Sequence, residues 1–402
     1  MADPENQSPY LGVFVPVGAT AEAAGSTVTV TLTGPAPFVL EGFADLPMVC
    51  RSGLDDRASL KDHTAGTGPF VLESATPGDE YVYTVRDGYT WGPDGASTAD
   101  KGTPAKVVVK IVENESTAAN LLLSGDLNSS QIGGPDAARL EATGLTSSDS
   151  FIVIGEQIYN HADGRPTSDP AVRMALTQAV DYAELGKVLT SGKGVPATQL
   201  APSSGCTGDS VEGNVPDFDP AAAEATLDAA GWTVGSDGTR EKDGTKLSLS
   251  FLHDSALGIG GGAAAELAVS QWEKVGIEVN AKSLATNAMA GPLFATGDWD
   301  IAWEPLGVDT PDQLVPFFSG ATPPDGSNIS AIENADYTAA VGKAMTQTGV
   351  AGCPDWLAAE AALFQAADLV AFANQKVPVF AQGAEFDATT GAVRVTSILM
   401  LG

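Results

Sequence analysis

Asp298, Asp300, Glu304, Asp309 and Asp312 lie within fifteen residues, interleaved with Trp299, Trp303, Phe317 and Phe318, and no lysine or arginine occurs between Lys282 and Lys343. Two chemistries suit such a group. Desolvated carboxylates attract an ammonium group and aromatic faces add cation–π contact, so the stretch suits an amphipathic cation. Alternatively, two of the acids, split by environment into proton donor and nucleophile, would cleave a glycosidic bond. The competing account makes Trp299 and Trp303 core residues of a strand and the acids solvated loop ends. Clustered acids are common on a chain this acidic, which favours binding over turnover.

The elements that must position these residues follow from periodicity. From Lys246 the order is strand (247–252), helix (263–274), strand (277–284), helix (near 288–295) and strand (299–303), which predicts a mostly parallel sheet with helices packed on it. Helices near 335–347 and 355–373 then precede a strand at 377–382. Asp169-Pro170 and Asp219-Pro220 are N-caps with proline at the first helical position, the former opening a helix to about Thr190 and the latter one ending at Gly231-Trp232. Earlier, residues 1–25 read as irregular and 27–32 as a strand. Strands 70–74 and 80–86 flank a Pro77-Gly78-Asp79 turn, and a β-branched run over 105–112 precedes a helix (116–123) and a short return strand (124–127).

At 402 residues, the chain is long enough for two domains. Its 51 acidic against 20 basic residues leave a charge of −31, which repels phosphate backbones and excludes nucleic acid as a partner; the acidity also keeps an alanine- and glycine-rich surface soluble. No apolar run is long enough to span a membrane, and residues 1–20 lack a basic start followed by an apolar core. Cys50, Cys206 and Cys353 are too few and too scattered for a zinc site, so neither metal nor cofactor is expected; as a disulfide plus one thiol they allow three pairings. Gly258-Ile-Gly-Gly-Gly262 fails as a dinucleotide fingerprint because its last glycine is misplaced. Ser191-Gly-Lys193 fails as a P-loop, and no Gly-x-Ser-x-Gly elbow occurs.

Five segments then stand in a recognisable order: Gly66-Thr-Gly-Pro-Phe70 with Arg86, Tyr89 and Trp91; Glu115-Ser-Thr-Ala-Ala-Asn120 with Ser124-Gly-Asp-Leu127; Asp169-Pro-Ala-Val-Arg-Met-Ala-Leu176 with Ala179-Val-Asp181; Phe218-Asp-Pro220 to Ala230-Gly-Trp232; and Trp272-Glu-Lys-Val-Gly-Ile277 with Gly297-Asp-Trp-Asp300. From about residue 26 to its end the chain resembles the family 5 solute-binding proteins of peptide-type ABC importers, which include oligopeptide-, dipeptide- and nickel-binding members. The resemblance implies an α/β, two-lobed periplasmic-binding-protein-like fold (type II, cluster C type) that closes on a peptide or similar small solute. Lobe one would be 1–151 plus 381–402 and lobe two 152–380. It further implies a non-enzymatic, monomeric, extracytoplasmic receptor, periplasmic or a cell-surface lipoprotein, that presents its ligand to ABC permease membrane subunits.

Carried over residue by residue, the resemblance makes Asp309 the anchor of a ligand amino group and Asn287, Phe294, Trp303 and Leu306 the pocket wall. Some members carry arginines at the places of Phe294 and Trp303, and their replacement here argues against recognition of a peptide carboxylate. With Cys206 and Cys353 both in lobe two, that pair is the expected disulfide. Family members begin with a further long region, roughly a quarter of the usual chain, that holds any signal peptide and lipid anchor. Its lack here implies an incomplete first lobe, and the alternative that follows is a truncated, non-binding remnant.

Overall fold

A computed structural model describes residues 14–401 apart from 45, 47, 62, 390 and 391, so the expected irregular start over 1–13 lies outside the described residues. The chain forms two units. Ile152–Gln375 with the described residues up to Ala44 make the larger, and the described residues of 46–151 and 376–401 the smaller. This corrects the expected lobes at both ends: 14–44 belong with the larger unit, and the return crossing falls at 375/376. The reason is packing. Thr20–Ala24 (β1) and Thr27–Thr31 (β2) form a fully exposed hairpin that cannot bury the apolar residues after it. Phe38 instead packs with its ring centroid 6.3 Å from that of Trp356, and the Gly349 N–H donates to the Pro37 carbonyl at 2.9 Å. Residues 20–24 read as irregular from sequence; Gly25, at φ +64°, makes the turn that lets them pair.

In the smaller unit, Phe70–Thr76 (β3), Glu80–Val85 (β4) and Lys106–Lys110 (β5) form an antiparallel sheet in that order, turning first at Gly78 with φ +80°. The residues that mark this stretch in the sequence lock its backbone. Arg86 donates from Nε to the Gly68 carbonyl at 2.7 Å and from Nη2 to that of Gly66 at 2.9 Å, Trp91 Nε1 donates to the Thr67 carbonyl at 3.0 Å, and the Tyr89 ring packs at a tilt of 58° against that of Trp91, centroids 4.8 Å apart. The helix Glu115–Ser124 starts under the Asn114 cap and stops at left-handed Gly125, so the return strand is not 124–127 but Ser129–Gln131 (β6). β6 pairs antiparallel with residues 379–381, and Leu122, Ile132, Leu140 and Phe380 fill the core beneath.

Thr146–Tyr159 (β7) carries the chain into the larger unit. There Thr233–Val234 (β8), Arg240–Lys242 (β9) and Thr245–Lys246 (β10) make a small meander before Ser248–Asp254 (β11), Glu278–Leu284 (β12) and Ile301–Trp303 (β13), and Leu369–Ala381 (β14) carries the chain back. Within this unit the sheet order is β12, β11, β13, β7, β14, with β11 parallel to both β12 and β13, and β13 antiparallel to β7. The parallel pair is joined through the helix Gly258–Lys274. Alternate residues leave opposite faces, as the strand repeat requires. Ile158, Leu252, Ala302 and Ala371 enter one core with Trp299 and Trp356, whereas Tyr159, Phe251, Trp303 and Phe372 enter another with Trp272. Burial on both faces explains why these strands read as near-continuous apolar runs.

Asp169 and Asp219 cap their helices as expected, accepting from the amides of Ala171 and Ala222. The first helix is shorter than its pattern predicts. Asp181 accepts the Glu184 N–H at 3.0 Å and starts a second helix, Tyr182–Leu189, after the first ends at Gln178. The helix expected over 355–373 is Cys353–Gln365; it ends because Ala367 turns left-handed at φ +49°, and the apolar run from Leu369 extends as β14. No glycine or proline announces that stop. Cys206 and Cys353 form the expected disulfide, with Cα atoms 5.2 Å apart, and Cys50 is a half-buried thiol of the smaller unit.

Candidate functional site

The carboxyl ends of β11 and β13 bring together side chains that are far apart in sequence. β11 ends in His253-Asp254 and β13 runs out through Trp303 into Glu304, with Trp303 opposite His253. On the other side of β13, Ile301 pairs with Tyr159 and Ala302 with Ile158, so Gln157 and Glu156 of β7 follow beside Trp303 and Glu304. The indole Nε1 of Trp303 donates to Gln157 Oε1 at 3.0 Å, and the Leu306 amide donates to Glu156 Oε2 at 2.9 Å. Open α/β sheets bind ligands beyond the carboxyl ends of their parallel strands, and this is such an end.

Its electrostatics are unusual for a chain so rich in charge. Glu156 is 1% exposed and its carboxyl is pushed up to about 7, first by burial, against the lowering effect of the Leu306 amide, and then by the negative charges of Glu304 and Glu360. Glu304 is raised to about 7 by burial and by Asp254. Glu360, on the helix Cys353–Gln365, is likewise raised to about 7 by burial, although the Ser210 hydroxyl and Leu200 amide donate to it. Burial lowers His253, keeping its ring neutral. Glu156 Oε1, Glu304 Oε2 and His253 Nδ1 are buried with no hydrogen-bond partner. Such atoms cost free energy unless a guest satisfies them. A cation there would pair with carboxylates that have no basic partner among the described residues. Among those residues no group of three or more metal-ligating side chains is assembled, and no helix is long and apolar enough to cross a membrane.

The sequence pattern of the family described as "Bacterial extracellular solute-binding proteins, family 5 Middle" matches residues 1–328. The chain belongs to that family. Among curated relatives, protein XP55 of Streptomyces lividans is 28% identical over 290 residues, covering 69% of this chain and 52% of the relative. The oligopeptide-binding protein OppA of Lactococcus lactis subsp. lactis is 27% identical over 289 residues, covering 64% and 45%. This chain thus spans about half the length of the curated relatives it matches. The crystal structure of a putative peptide binding protein, AppA, from Clostridium difficile superposes with a TM-score of 0.77 at 16% identity, covering 99% of this chain and 82% of that one. That likeness shows the fold, the mixed α/β architecture of two-lobed substrate-binding proteins.

In this family 5 solute-binding protein the acids between 298 and 312 do not form one group. Asp298, largely exposed, and Asp300, buried, face Arg165 at 3.1 and 3.6 Å, and Asp300 Oδ2 accepts the Ser250 amide at 2.8 Å. They brace the amino end of β13, whereas Glu304 stands at its carboxyl end, about 13 Å further along an extended chain. Trp303 is no pocket wall: it is fully buried between Phe251 and Phe372, because its position in β13 points into the core. Trp299 and Phe318 are core residues too. Leu306 is half-buried and reaches the site through its amide. Asp309 is half-buried in the loop beyond, its N–H donating to Gln313 Oε1 at 3.0 Å. Asn287 is exposed on the helix Thr286–Gly291, and Phe294, in the turn after it, is 40% exposed. Sequence reasoning passed over Glu156, His253 and Asp254. The available signal was Glu156 itself, a charge inside the apolar run Phe151-Ile-Val-Ile-Gly-Glu156.

Proposed function

We propose that this protein is the extracytoplasmic solute-binding component of an ABC importer, that it takes a peptide or similar small solute by a cationic group, and that it hands the ligand unchanged to permease subunits. The observation that carries the reading is the buried carboxyl of Glu156, whose Oε1 has no hydrogen-bond partner, beside Glu304 at the carboxyl end of β13. An incoming ammonium group would supply the missing hydrogen bonds and draw both acids to their charged forms. Asp309, in the loop that follows Glu304, serves as a further anchor for an amino group, and Phe294 and Asn287 offer exposed surface for the ligand's body. The family assignment and the peptide-binding names of relatives support this reading.

Native mass spectrometry of gently purified protein, followed by denaturation, tests it: a released peptide or organic cation is the expected result. An empty protein that also shows no thermal shift across pools of peptides and small solutes would overturn it. With a ligand in hand, calorimetry should show Asp309→Asn weakening an amine-bearing ligand by on the order of 2–5 kcal/mol, as for truncation of one partner of a buried charge pair. Unchanged affinity would remove Asp309 from the site.

A further inference from the structure

A second concavity in the larger unit is separate from the sheet end. It has a volume of about 460 Å³, within the range of small-molecule pockets, and lies between the segment that ends in the short helix Val39–Ala44 and the loop 310–327. Phe38 and Val39 form one side and Val315, Pro316 and Met345 another; Glu156, Asp254 and Glu304 do not line it. Thr310, Ser319 and Ser327 bring hydroxyls to it, the first donating to Asp312 Oδ1 at 2.6 Å, and its other polar groups are of two kinds. Asp312 and Asp325 are acids without an ion-pair partner among the described residues, and Asp312 is raised by burial and, to a lesser degree, by the charge of Glu41. Gln313, 6% exposed, spends its Oε1 on the Asp309 amide, while its NH2 group has no protein acceptor among those residues.

A guest complementary to these walls needs an ammonium group for the carboxylates, an acceptor for the Gln313 NH2 and an apolar body for the aromatic and aliphatic sides. We infer that this cavity is a second binding site that takes a compact apolar amine carrying a carbonyl or hydroxyl oxygen, of the size of an amino-acid amide. The inference stands apart from the ligand reading of the sheet end. The two share only the loop in which Gln313 holds Asp309 in place.

Titration of the whole protein with phenylalaninamide, followed by calorimetry and by amide NMR shifts, tests the site. Saturable binding is expected, with shifts in 36–42 and 310–327. Hydrocinnamamide, which lacks the ammonium group, and Asp312→Asn should each weaken binding at least tenfold, about 1.4 kcal/mol per factor of ten. Ala321→Trp, a filling substitution at an exposed rim position, should abolish it, and Glu156→Gln should leave it unchanged. Melting curves establish that each variant is folded. Absence of saturable binding in the parent, or parental affinity in Asp312→Asn and Ala321→Trp, overturns the inference. Loss confined to Glu156→Gln also overturns it, by placing the amine at the sheet end, and leaves the proposed function intact.

Discussion

The hairpin stretch 66–91 and the sheet end around Glu156 both carry strong polar groups, but they use them in opposite ways. Arg86 and Trp91 give their donors to the carbonyls of Gly66, Thr67 and Gly68, so the polar groups that mark the motif are consumed in holding a local backbone shape. At the sheet end, Glu156 accepts the Leu306 amide with one oxygen and keeps the other unpaired, Glu304 leaves Oε2 unpaired, and burial drives both carboxyls towards neutrality. A satisfied network stabilises; an unsatisfied one is stability withheld until a ligand arrives. The motif over 66–91 is therefore structural, and the unpaired carboxyl oxygens lie where no motif points.

The contrast can be sharpened by perturbing each region in turn. The largest effect is expected from reducing Cys206–Cys353, which closes a loop of 147 residues. Chain-entropy reasoning puts its loss at about 5 kcal/mol. Hydrogen exchange should show that loss in the larger unit, with the amides of β3, β4 and β5 keeping their protection; equal loss in both would show that the two regions do not open independently.

Next in size is Glu156→Gln. A carboxyl raised from 4.5 to about 7 on folding contributes stability in full below pH 4.5, and that contribution is lost as pH rises through about 7. By pH 8 the buried charge costs on the order of 3 kcal/mol, a cost glutamine does not incur. The variant should accordingly gain stability over the parent at pH 8 and not at pH 4. His161, which burial lowers to about 3, acts in the opposite sense, losing its contribution as pH falls, but it cancels in the difference between the two proteins. Urea denaturation at the two pH values measures this, and a pH-independent difference would show that Glu156 is not held neutral. The same variant should weaken the proposed ligand.

The smallest effect belongs to the hairpin. Arg86→Met removes two partly exposed hydrogen bonds to carbonyls and should cost on the order of 2 kcal/mol, with ligand affinity unchanged by calorimetry. A fall in affinity alone would overturn the structural account of the motif.

Much of the fold was legible because its signals are local. Asp169-Pro170 and Asp219-Pro220 start helices through their own side chains and rings, Gly78 turns β3 into β4, and the period-two run over 27–32 declares β2. The helix after Cys353 was misread over 366–373 because its end depends on a left-handed alanine rather than on a glycine, and the break at Asp181 because an N-cap inside an apolar pattern looks like a helix surface.

The candidate site was legible only in part for a different reason. Sequence proximity grouped five acids that a single extended strand then separated, sending Asp300 to Arg165 and Glu304 to Glu156. By itself the sequence determined the family, the alternation of strands and helices and most helix starts, since each depends on residues within a few positions of one another. Only the tertiary structure decided which carboxyls are buried and which remain unpaired, because desolvation and charge coupling depend on what the antiparallel entry of β7 sets beside β13, more than 140 residues away.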